Sequence, residues 1–276
     1  MIETKIKTKA ATKVVIAGIT GRMGQALLQG IFADNELQLH GAIDRVDSPK
    51  IARDAGEQFG QNTGVKITDN IDNALKDADV LIDFTRPEAT LQYLQACRKA
   101  HVKHVIGTTG FTPAQKTLIE QASAEIAIVF APNMSVGVTL LINLVEQAAK
   151  VLNEGYDIEI LEMHHRHKLD APSGTALRLG EAAAQGLGAS LKDCAIYARE
   201  NVTGEREAGK IGFATLRGGD VVGDHTVLFA GIGERVELTH KASSRATFAQ
   251  GALRAVKYLN TQTTGLFDMR DVLNLR

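Results

Sequence analysis

One short stretch in the second half of the chain places a run of cationic side chains just before a predicted helix start. Residues 164–168 read His-His-Arg-His-Lys, so five consecutive side chains can carry positive charge. Pro172-Ser173-Gly174-Thr175 follows and opens a helical pattern. Cationic side chains and the N–H groups of a helix N-terminus both bind anions. The stretch therefore predicts a site for a small ligand with more than one carboxylate; the alternative is a solvated basic turn.

The same histidines raise the question of a metal site. Three of them lie close together in the stretch, but no carboxylate or cysteine completes a set at ligand spacing, so we expect no metal. If the preceding strand continues, Arg166 and His167 alternate away from their neighbours. In that arrangement we expect them to be structural and to pair with Glu159 or Glu162.

The overall composition limits the classes of function. The chain has 276 residues, of which 44% are hydrophobic and 23% charged, with a formal net charge of −1. These values are ordinary for a globular protein. The balanced charge and the lack of Trp argue against a partner such as nucleic acid or a membrane surface. Cys97 and Cys194 form no CxxC pair, so neither a disulfide framework nor a zinc site is expected.

The N-terminal stretch from Met1 to Lys13 is rich in Lys and Thr. It lacks the apolar core of a signal peptide and the arginines of a transit peptide. No apolar run in the chain approaches the length of a membrane span. We expect this stretch to form a tail ahead of the first strand, and a cytoplasmic location follows by default.

A second candidate site begins at the first predicted strand. The β-branched run at residues 14–17 is typical of a buried parallel strand. It leads into Gly18-Ile19-Thr20-Gly21-Arg22-Met23-Gly24, and helical periodicity follows. Strand, glycine-rich turn and helix form the context of a dinucleotide-binding motif. Its glycines allow the tight turn, the approach of the pyrophosphate and the packing of the helix, here with GxxGxxG rather than the commoner GxGxxG spacing.

An acid–base pair supports the dinucleotide interpretation. The second predicted strand, at positions 37–43, ends in Asp44-Arg45. The spacing from Gly24 to Asp44 is that at which an acid meets the ribose hydroxyls of the adenosine. Arg45 could pair with a 2′-phosphate, so the pair indicates use of both NADH and NADPH. A surface ion pair at a strand end is the alternative.

Strands and helices alternate through the rest of the first half. Short apolar runs, separated by helical patterns, predict strands at residues 65–68, 80–84, 102–106 and 126–130. Repeated βα units predict a doubly wound parallel sheet, with ligands beyond the carboxyl ends of the strands. Loops at 84–87, 107–110 and 131–135 follow those ends, so we expect them to line a nicotinamide cofactor.

The pattern changes after a long amphipathic helix at residues 136–152. Strand patterns then follow one another at residues 157–163, 194–199, 211–217, 225–230 and 235–240. Such a series predicts an α+β unit with a mixed or antiparallel sheet. Its outward face is partly apolar at Val227, Phe229 and Ile232, which could be an oligomer surface.

The helical pattern at residues 247–259 could return to the first domain. The predicted organisation is an α/β dinucleotide-binding domain, with a doubly wound parallel sheet, at residues 1–134 and 241–276. An α+β domain for substrate binding and oligomerisation, with a mixed sheet, is predicted at residues 135–240.

Four segments occur along the chain in this order: Gly18-x-x-Gly21-Arg22-Met23-Gly24, Asp83-Phe84-Thr85-Arg86-Pro87, Gly107-Thr108-Thr109-Gly110 and Glu162-x-His164-His165-Arg166-His167-Lys168-x-Asp170-Ala171-Pro172-Ser173-Gly174-Thr175. Together they resemble the dihydrodipicolinate reductase family. The likeness covers nearly the whole chain beyond the N-terminal tail. It implies NAD(P)H-dependent reduction of 4-hydroxy-tetrahydrodipicolinate to tetrahydrodipicolinate, with loss of water, in lysine and diaminopimelate biosynthesis. It also implies a cytoplasmic homotetramer built through the sheet of the second domain.

The resemblance implies roles for individual residues. His164 would be the acid/base and Lys168 the proton donor. The dicarboxylate substrate would meet His165, Gly174 and Thr175, together with Ser173 at the helix start. The cofactor, NADH or NADPH, would meet Gly18, Ile19, Thr20, Gly21, Arg22, Met23, Asp44, Arg45, Gly107, Thr108, Thr109, Ala131, Pro132, Asn133 and Met134.

Two other functions are compatible with parts of the sequence. A dinucleotide-sensing protein without turnover would fit the first domain, but it gives no reason for the cationic stretch at residues 164–175. Another two-domain dehydrogenase, acting on an amino or keto acid, would fit both domains.

Overall fold

The computed structural model describes residues 10–201 and 203–276. Most of the predicted tail, at positions 1–9, lies outside the described residues, and its last two members already belong to the first strand. The chain divides into two compact units. The first contains the residues up to Met134, Phe248–Asn274 and Arg276; the second contains Ser135–Thr247 and Leu275. Residues 241–247, which the sequence assigned to the first domain, thus fall in the second unit.

Within the described ranges, seven parallel strands form the sheet of the first unit. Their order is β12-β6-β5-β4-β1-β2-β3, and every pairing is parallel. The strands are β1 (Thr12–Ala17), β2 (Leu37–Ile43), β3 (Ile67–Thr68), β4 (Val80–Asp83), β5 (Lys103–Ile106), β6 (Ala127–Phe130) and β12 (Gly265–Phe267). Successive residues such as Val14, Val15 and Ile16 are all fully buried, so both faces of this sheet are covered. The predicted doubly wound parallel sheet is confirmed.

Helices alternate with these strands, and their first residues explain where several of them begin. Pro87 and Pro113 each stand at the first helical position, where the missing N–H costs nothing. Thr112 and Gln115 form a capping box at the second of these starts. The helices are α1 (Arg22–Phe32), α2 (Ile71–Leu75), α3 (Pro87–Ala100), α4 (Pro113–Ala122), α8 (Ala246–Leu259), α9 (Met269–Val272) and a 3₁₀ turn (Glu57–Phe59).

The second unit is built on a mixed sheet, as predicted. Over the described residues its order is β11-β10-β7-β9-β8, with β7, β8 and β9 parallel and β10 antiparallel to both neighbours. The strands are β7 (Asp157–His164), β8 (Ala195–Ile196), β9 (Ile211–Arg217), β10 (Gly223–Ala230) and β11 (Arg235–Ala242). The helices are α5 (Val136–Val151), α6 (Gly174–Gly186) and α7 (Leu191–Cys194).

One face of this mixed sheet forms a core with α5 and α6. Val227 and Phe229 are fully buried in that core, together with Ile158 and Ile160 of β7. The prediction that Val227 and Phe229 face outward was wrong, because alternation along β10 separates two faces without showing which one meets the helices. The outward face instead carries Leu161 and Leu216, 39% and 47% exposed. Ile232 lies beyond β10 and is fully exposed.

None of the helices in the described part of the chain is long and apolar enough to cross a membrane.

Candidate active site

A buried histidine ends the central strand of the second sheet. His164 is the last residue of β7 and is 8% exposed. Residues two apart on a strand share a face, so Glu162 lies beside it, with Oε2 2.5 Å from Nδ1 of His164. His225 of β10 packs edge-on against the same ring, with centroids 5.0 Å apart. The strand order thus brings two histidines and a glutamate together on the buried face.

Glu162 also contacts a neighbouring strand and the segment before α6. Arg217, the register partner of His164 on β9, donates from Nη1 and Nη2 to its two carboxylate oxygens at 2.9 and 3.0 Å. The N–H of Ser173 donates to Oε1 at 3.0 Å. Burial acts to raise the pKa of Glu162, but the bonds from Arg217 and His164 outweigh it and hold the pKa below its ordinary value. Glu162 is therefore a buried, ionised carboxylate.

Two glutamates of β7, Glu159 and Glu162, form ion pairs that differ from those predicted from the sequence. Glu159 pairs with two arginines from distant segments, and Glu162 pairs with Arg217. The prediction that Arg166 and His167 meet these acids was wrong. The chain leaves the strand after His164 and enters a turn, so the alternation on which the prediction depended ends there.

The turn carries Lys168, whose ammonium is already paired. Its Nζ lies 2.9 Å from Oδ1 of Asp170, and the two side chains are 21% and 60% exposed. Burial acts to raise the pKa of Asp170, but Lys168 and the backbone N–H of Gly174 hold it below its ordinary value. The carboxylate of Asp170 therefore binds the ammonium group of Lys168 and a helix N–H. The sequence predicted that both of these groups would bind a carboxylate of the ligand.

Ser173 caps the start of α6 and connects it to β10. Its Oγ accepts the N–H of Ala176 at 3.1 Å and is hydrogen-bonded to Nε2 of His225 at 2.9 Å. The first turn of α6 carries no acidic residue. A Cβ at Gly174 would meet no atom of the described chain within 4 Å, so the space beside the helix start is open. A helix N-terminus of this kind favours an anionic group, and in this structure that group is the carboxylate of Asp170.

Both buried histidines are neutral at neutral pH. Burial lowers the pKa of His164 below its ordinary value; Glu162 opposes this, while Lys168 and Arg217 add to it. Burial lowers the pKa of His225 to about 4. His164 can therefore accept a proton, and an anionic ligand beside it would favour its charged form.

His165 occupies the first position of the turn. Its N–H donates to the carbonyl of Val221 at 2.7 Å. Its Nδ1 is buried and has no hydrogen-bond partner among the residues that the structure describes. Thr175 is half-buried in the first turn of α6. The predicted catalytic and substrate residues thus lie on three connected pieces of the second unit, namely the end of β7, the turn and the helix start.

Arg217 and His225, which lie close to His164 and Glu162, were not predicted as site residues from the sequence. Both lie far along the chain from His164, and only the pairing of β7 with β9 and β10 brings them together. The only role predicted for Glu162 was that of a partner for the turn residues. Glu162 and His164 stand two residues apart on a strand with an alternating pattern. That spacing places them on one face of the strand and could have predicted their contact.

In the first unit, the glycine loop joins β1 to α1. Gly18 has a φ of +67°, and a Cβ at Gly24 would lie 2.3 Å from the carbonyl oxygen of Gly18. Only glycine fits these two positions without a backbone shift. Across the described chain, no side-chain hydrogen bond caps the start of α1 at Gly21. The N–H groups of this first turn are therefore available to a phosphate, and the loop fits the pyrophosphate of NADH or NADPH.

Asp44 follows β2 directly and contacts the glycine loop. Its Oδ2 accepts the N–H of Thr20 at 3.0 Å and also the Thr20 hydroxyl, and its Oδ1 accepts the N–H of Arg45 at 2.8 Å. The Arg45 side chain is 76% exposed and lies 3.5 Å from Asp47. The acid thus lies at the strand end beside the loop, where an adenosine ribose meets an acid in this kind of fold.

The loops after β4 and β5 meet at a buried aspartate. Oδ1 of Asp83 accepts the N–H and the hydroxyl of Thr85 at 2.8 and 2.6 Å, and the Thr108 hydroxyl lies 3.4 Å away. Burial raises the pKa of Asp83 although these threonines oppose it. His104 is fully buried 3.9 Å away, and burial lowers its pKa to about 3. The sequence predicted no role for either residue, yet Asp83 connects two of the predicted cofactor loops.

The remaining predicted cofactor residues lie at the carboxyl ends of β5 and β6. Gly107 packs closely on the next loop, because a Cβ there would lie 2.2 Å from the ring of Phe84. Buried positions alternate with exposed ones along these loops: Thr108, Ala131 and Met134 are buried, Asn133 is half-buried, and Thr109 and Pro132 are exposed. Among the described residues, no cluster of His, Cys, Asp or Glu has the arrangement of a metal site.

Comparison with known proteins covers both units. Residues 12–134 match the family model described as dihydrodipicolinate reductase, N-terminus, and residues 137–273 match its C-terminus. Curated relatives from Burkholderia multivorans and Thiobacillus denitrificans, both called 4-hydroxy-tetrahydrodipicolinate reductase, are 60% identical over 264 and 266 residues, which cover 96% of this chain and 100% of each relative. A solved dipicolinate-bound dihydrodipicolinate reductase from Paenisporosarcina sp. TG-14 is 25% identical with a TM-score of 0.76, and the match covers 95% of this chain and 98% of that one.

Proposed function

The chain belongs to the dihydrodipicolinate reductase family, and on that premise we propose that it reduces 4-hydroxy-tetrahydrodipicolinate to tetrahydrodipicolinate, with loss of water, in lysine and diaminopimelate biosynthesis. The reductant is NADH or NADPH, which supplies a hydride when bound. The main support for the proposal is the site in the second unit, where a buried neutral histidine lies near an ammonium group and near a helix start with open space beside Gly174.

The first unit holds the cofactor in this proposal. The N–H groups at the start of α1 bind the pyrophosphate, and Gly18 and Gly24 keep the loop close enough for that contact. Asp44 accepts the ribose hydroxyls, and Arg45, whose side chain is exposed, meets the 2′-phosphate when NADPH is used. The loops that Asp83 connects line the nicotinamide end.

The second unit binds the two carboxylates of the substrate. Lys168, His165 and the Ser173-Gly174-Thr175 helix start supply the positive charge and the donors. The N–H of Ser173 itself stays bonded to Glu162. Lys168 exchanges its bond to Asp170 for one to the substrate. The open space at Gly174 admits a carboxylate beside the helix start.

His164 and Lys168 move the protons of the reaction. Addition of a hydride to the ring requires an acceptor made electron-poor by protonation, and a histidine or lysine beside the ring can supply that proton. His164 acts as the acid/base, since its neutral ring gains a proton more readily once a dianion is bound. Lys168 acts as a proton donor from Nζ.

The experiment mixes the purified protein with NADPH and the freshly generated product of dihydrodipicolinate synthase, and follows the absorbance of the reduced nicotinamide. We expect oxidation of NADPH, and a fall in turnover of roughly 10²- to 10⁴-fold in His164→Gln. His167→Gln is the matched control, because His167 is exposed in the same turn. Cofactor binding without oxidation would instead support a sensor. Full turnover with normal substrate affinity in His164→Gln would refute the acid/base role.

A homotetramer built through the sheet of the second unit is part of the proposal. Its support is the outward face of that sheet, where Leu161 and Leu216 are exposed on neighbouring strands. Light scattering during size exclusion should give the mass of four chains. Leu161→Glu should reduce that mass and leave the far-UV spectrum unchanged, whereas a monomeric unaltered protein would exclude the tetramer.

The cytoplasm is the proposed location, because the reaction consumes the reduced nicotinamide cofactor that the cytoplasm supplies. Recovery of the protein with cytoplasmic marker enzymes after cell fractionation is the expected result. Recovery with the cell envelope or the medium would contradict it.

A further inference from the structure

Arg217 and Glu162 form a buried ion pair that ends at the histidine of the site. Arg217 lies directly opposite His164 in the β7–β9 register, yet its guanidinium reaches back to Glu162, which stands earlier on β7. Glu162 is 2% exposed and bonds to His164, Arg217 and the N–H of Ser173. The carboxylate therefore touches all three chain segments that meet at this point.

The contact between Glu162 and His164 decides which ring nitrogen can exchange a proton. An ionised carboxylate only accepts hydrogen bonds, so Nδ1 of His164, 2.5 Å from Oε2, carries a proton. Nε2 of the neutral ring is then the basic atom. A Cβ at Gly223 would lie 3.0 Å from that Nε2, so a side chain at this position of β10 would crowd the nitrogen, and glycine avoids that contact.

Arg217 balances the charge that Glu162 brings to the histidine. Among the described residues, the titratable and charged groups around His164 are Glu162 on its own strand, Arg217 on β9, His225 on β10 and Lys168 in the turn. The carboxylate favours the charged ring, whereas the two cations disfavour it. Arg217 also donates to the carbonyl of Asp170 at 2.7 Å, so it fixes the segment that leads to the helix start.

We propose that Glu162 and Arg217 are positioning residues for the proposed reduction: Glu162 holds the proton of His164 on Nδ1 and leaves Nε2 to exchange a proton with the substrate, while Arg217 orients Glu162 and balances its charge. This inference rests on the proposed function for its role in turnover. Its structural part, the proton on Nδ1, concerns the protein without substrate and can be tested separately.

The first test is ¹⁵N NMR of the ring nitrogens in the full chain without substrate, with the His164 signals assigned by comparison with His164→Gln. We expect the neutral ring to carry its proton on Nδ1, and Glu162→Ala to shift the population toward the Nε2-protonated form. A proton on Nε2 in the unaltered protein would overturn the proposal. This measurement does not require turnover, so its failure is distinct from a failure of the proposed function.

The second test compares two variants whose effects on the histidine have opposite sign. Glu162→Gln removes the negative charge, so the pKa of His164 should fall; Arg217→Gln removes a positive charge, so it should rise, each by about one unit or more. The limb of the pH profile of kcat/KM that belongs to His164 should move in the same two directions. A merely structural role predicts loss of activity in both variants without opposite shifts, and parallel or absent shifts would refute the proposal.

Arg217→Lys covers the case in which Arg217→Gln does not fold, since it leaves a cation beside Glu162. Lysine keeps the charge but not the two parallel hydrogen bonds. We therefore expect the pKa of His164 to stay close to that of the unaltered protein, with a lower kcat at an unchanged pH profile. A rise in the pKa as large as that expected for Arg217→Gln would show that charge balance is not the role of this residue.

Discussion

Nζ of Lys168 lies 2.9 Å from Oδ1 of Asp170, and the N–H at the start of α6 acts on the same carboxylate. Lys168, which is proposed to bind the substrate, thus binds the carboxylate of Asp170 when no substrate is present. Binding of a dicarboxylate then exchanges one carboxylate for another at Lys168, so the ammonium group does not have to be desolvated without a partner.

Lys168→Met should reduce kcat/KM for the dicarboxylate by about 100-fold or more, because both a carboxylate partner and a proton donor are lost. The pKa of Asp170 should rise, since the bond from Lys168 holds it down. Steady-state kinetics and NMR titration of the carboxyl carbon measure the two effects. Arg166→Met is the matched control, because Arg166 is exposed in the same turn; equal losses in both variants would assign the effect to the general positive charge of the turn.

Gly24→Ala should abolish measurable NADPH binding or unfold the first unit. A Cβ there would lie 2.3 Å from the carbonyl oxygen of Gly18 and 2.6 Å from the Cα of Ile19, so backbone must move. Gly30→Ala tests the same change later in α1, where the Cβ would meet only the end of the Leu253 side chain, which can rotate. Cofactor titration by fluorescence, together with thermal unfolding, should separate the two variants; normal binding in Gly24→Ala would show that the loop is not the cofactor site.

Asp44→Ser and Arg45→Ser should separate the two cofactors. Loss of the acid removes a charge-assisted bond to the ribose and should raise KM for NADH by roughly tenfold or more. Loss of the exposed guanidinium should raise KM for NADPH and leave KM for NADH nearly unchanged. Asp47→Ser is the control, because Asp47 is the acid that lies beside Arg45. Equal changes for both cofactors in Arg45→Ser would rule out a contact with the 2′-phosphate.

The free energy of unfolding should decrease as the pH falls below about 6.5, in part because of His104. Its pKa is about 3 in the folded chain and 6.5 in a model peptide, so the unfolded chain binds a proton that the folded chain rejects. The stability is thus present above pH 6.5 and is lost progressively toward pH 3. Burial raises the pKa of Asp83, so this carboxyl acts in the opposite direction: it favours the folded chain as the pH falls.

His104→Leu isolates this contribution. Both ring nitrogens of His104 are buried without a hydrogen-bond partner among the described residues, so an apolar side chain is acceptable at this position. Urea unfolding between pH 7 and pH 4.5 should give a pH slope smaller by about one proton in the variant. An identical slope in the two proteins would show that His104 is not the group that titrates.

The fold was largely predictable because its signals are local. The β-branched run that includes Val14 and Ile16 indicated a strand buried on both faces, and the strand pattern at residues 37–43 placed the end of β2 just before Asp44. The cluster around His164 was only partly predictable, because Arg217 and His225 reach it through strand register from distant parts of the chain. Alternation also could not tell which face of β10 meets the helices, so Val227 and Phe229 were assigned to the wrong side.

Transfer of deuterium from the cofactor to the product would show directly that the chain catalyses the proposed reduction. The protein is supplied with NADPH that carries deuterium at the transferable position of the nicotinamide and with freshly generated dihydrodipicolinate synthase product, and the tetrahydrodipicolinate is analysed by mass spectrometry. We expect one deuterium in each product molecule for each NADPH oxidised when the labelled face of the nicotinamide is the one used. Product without label from both labelled forms of NADPH, or binding of NADPH without oxidation, would contradict it.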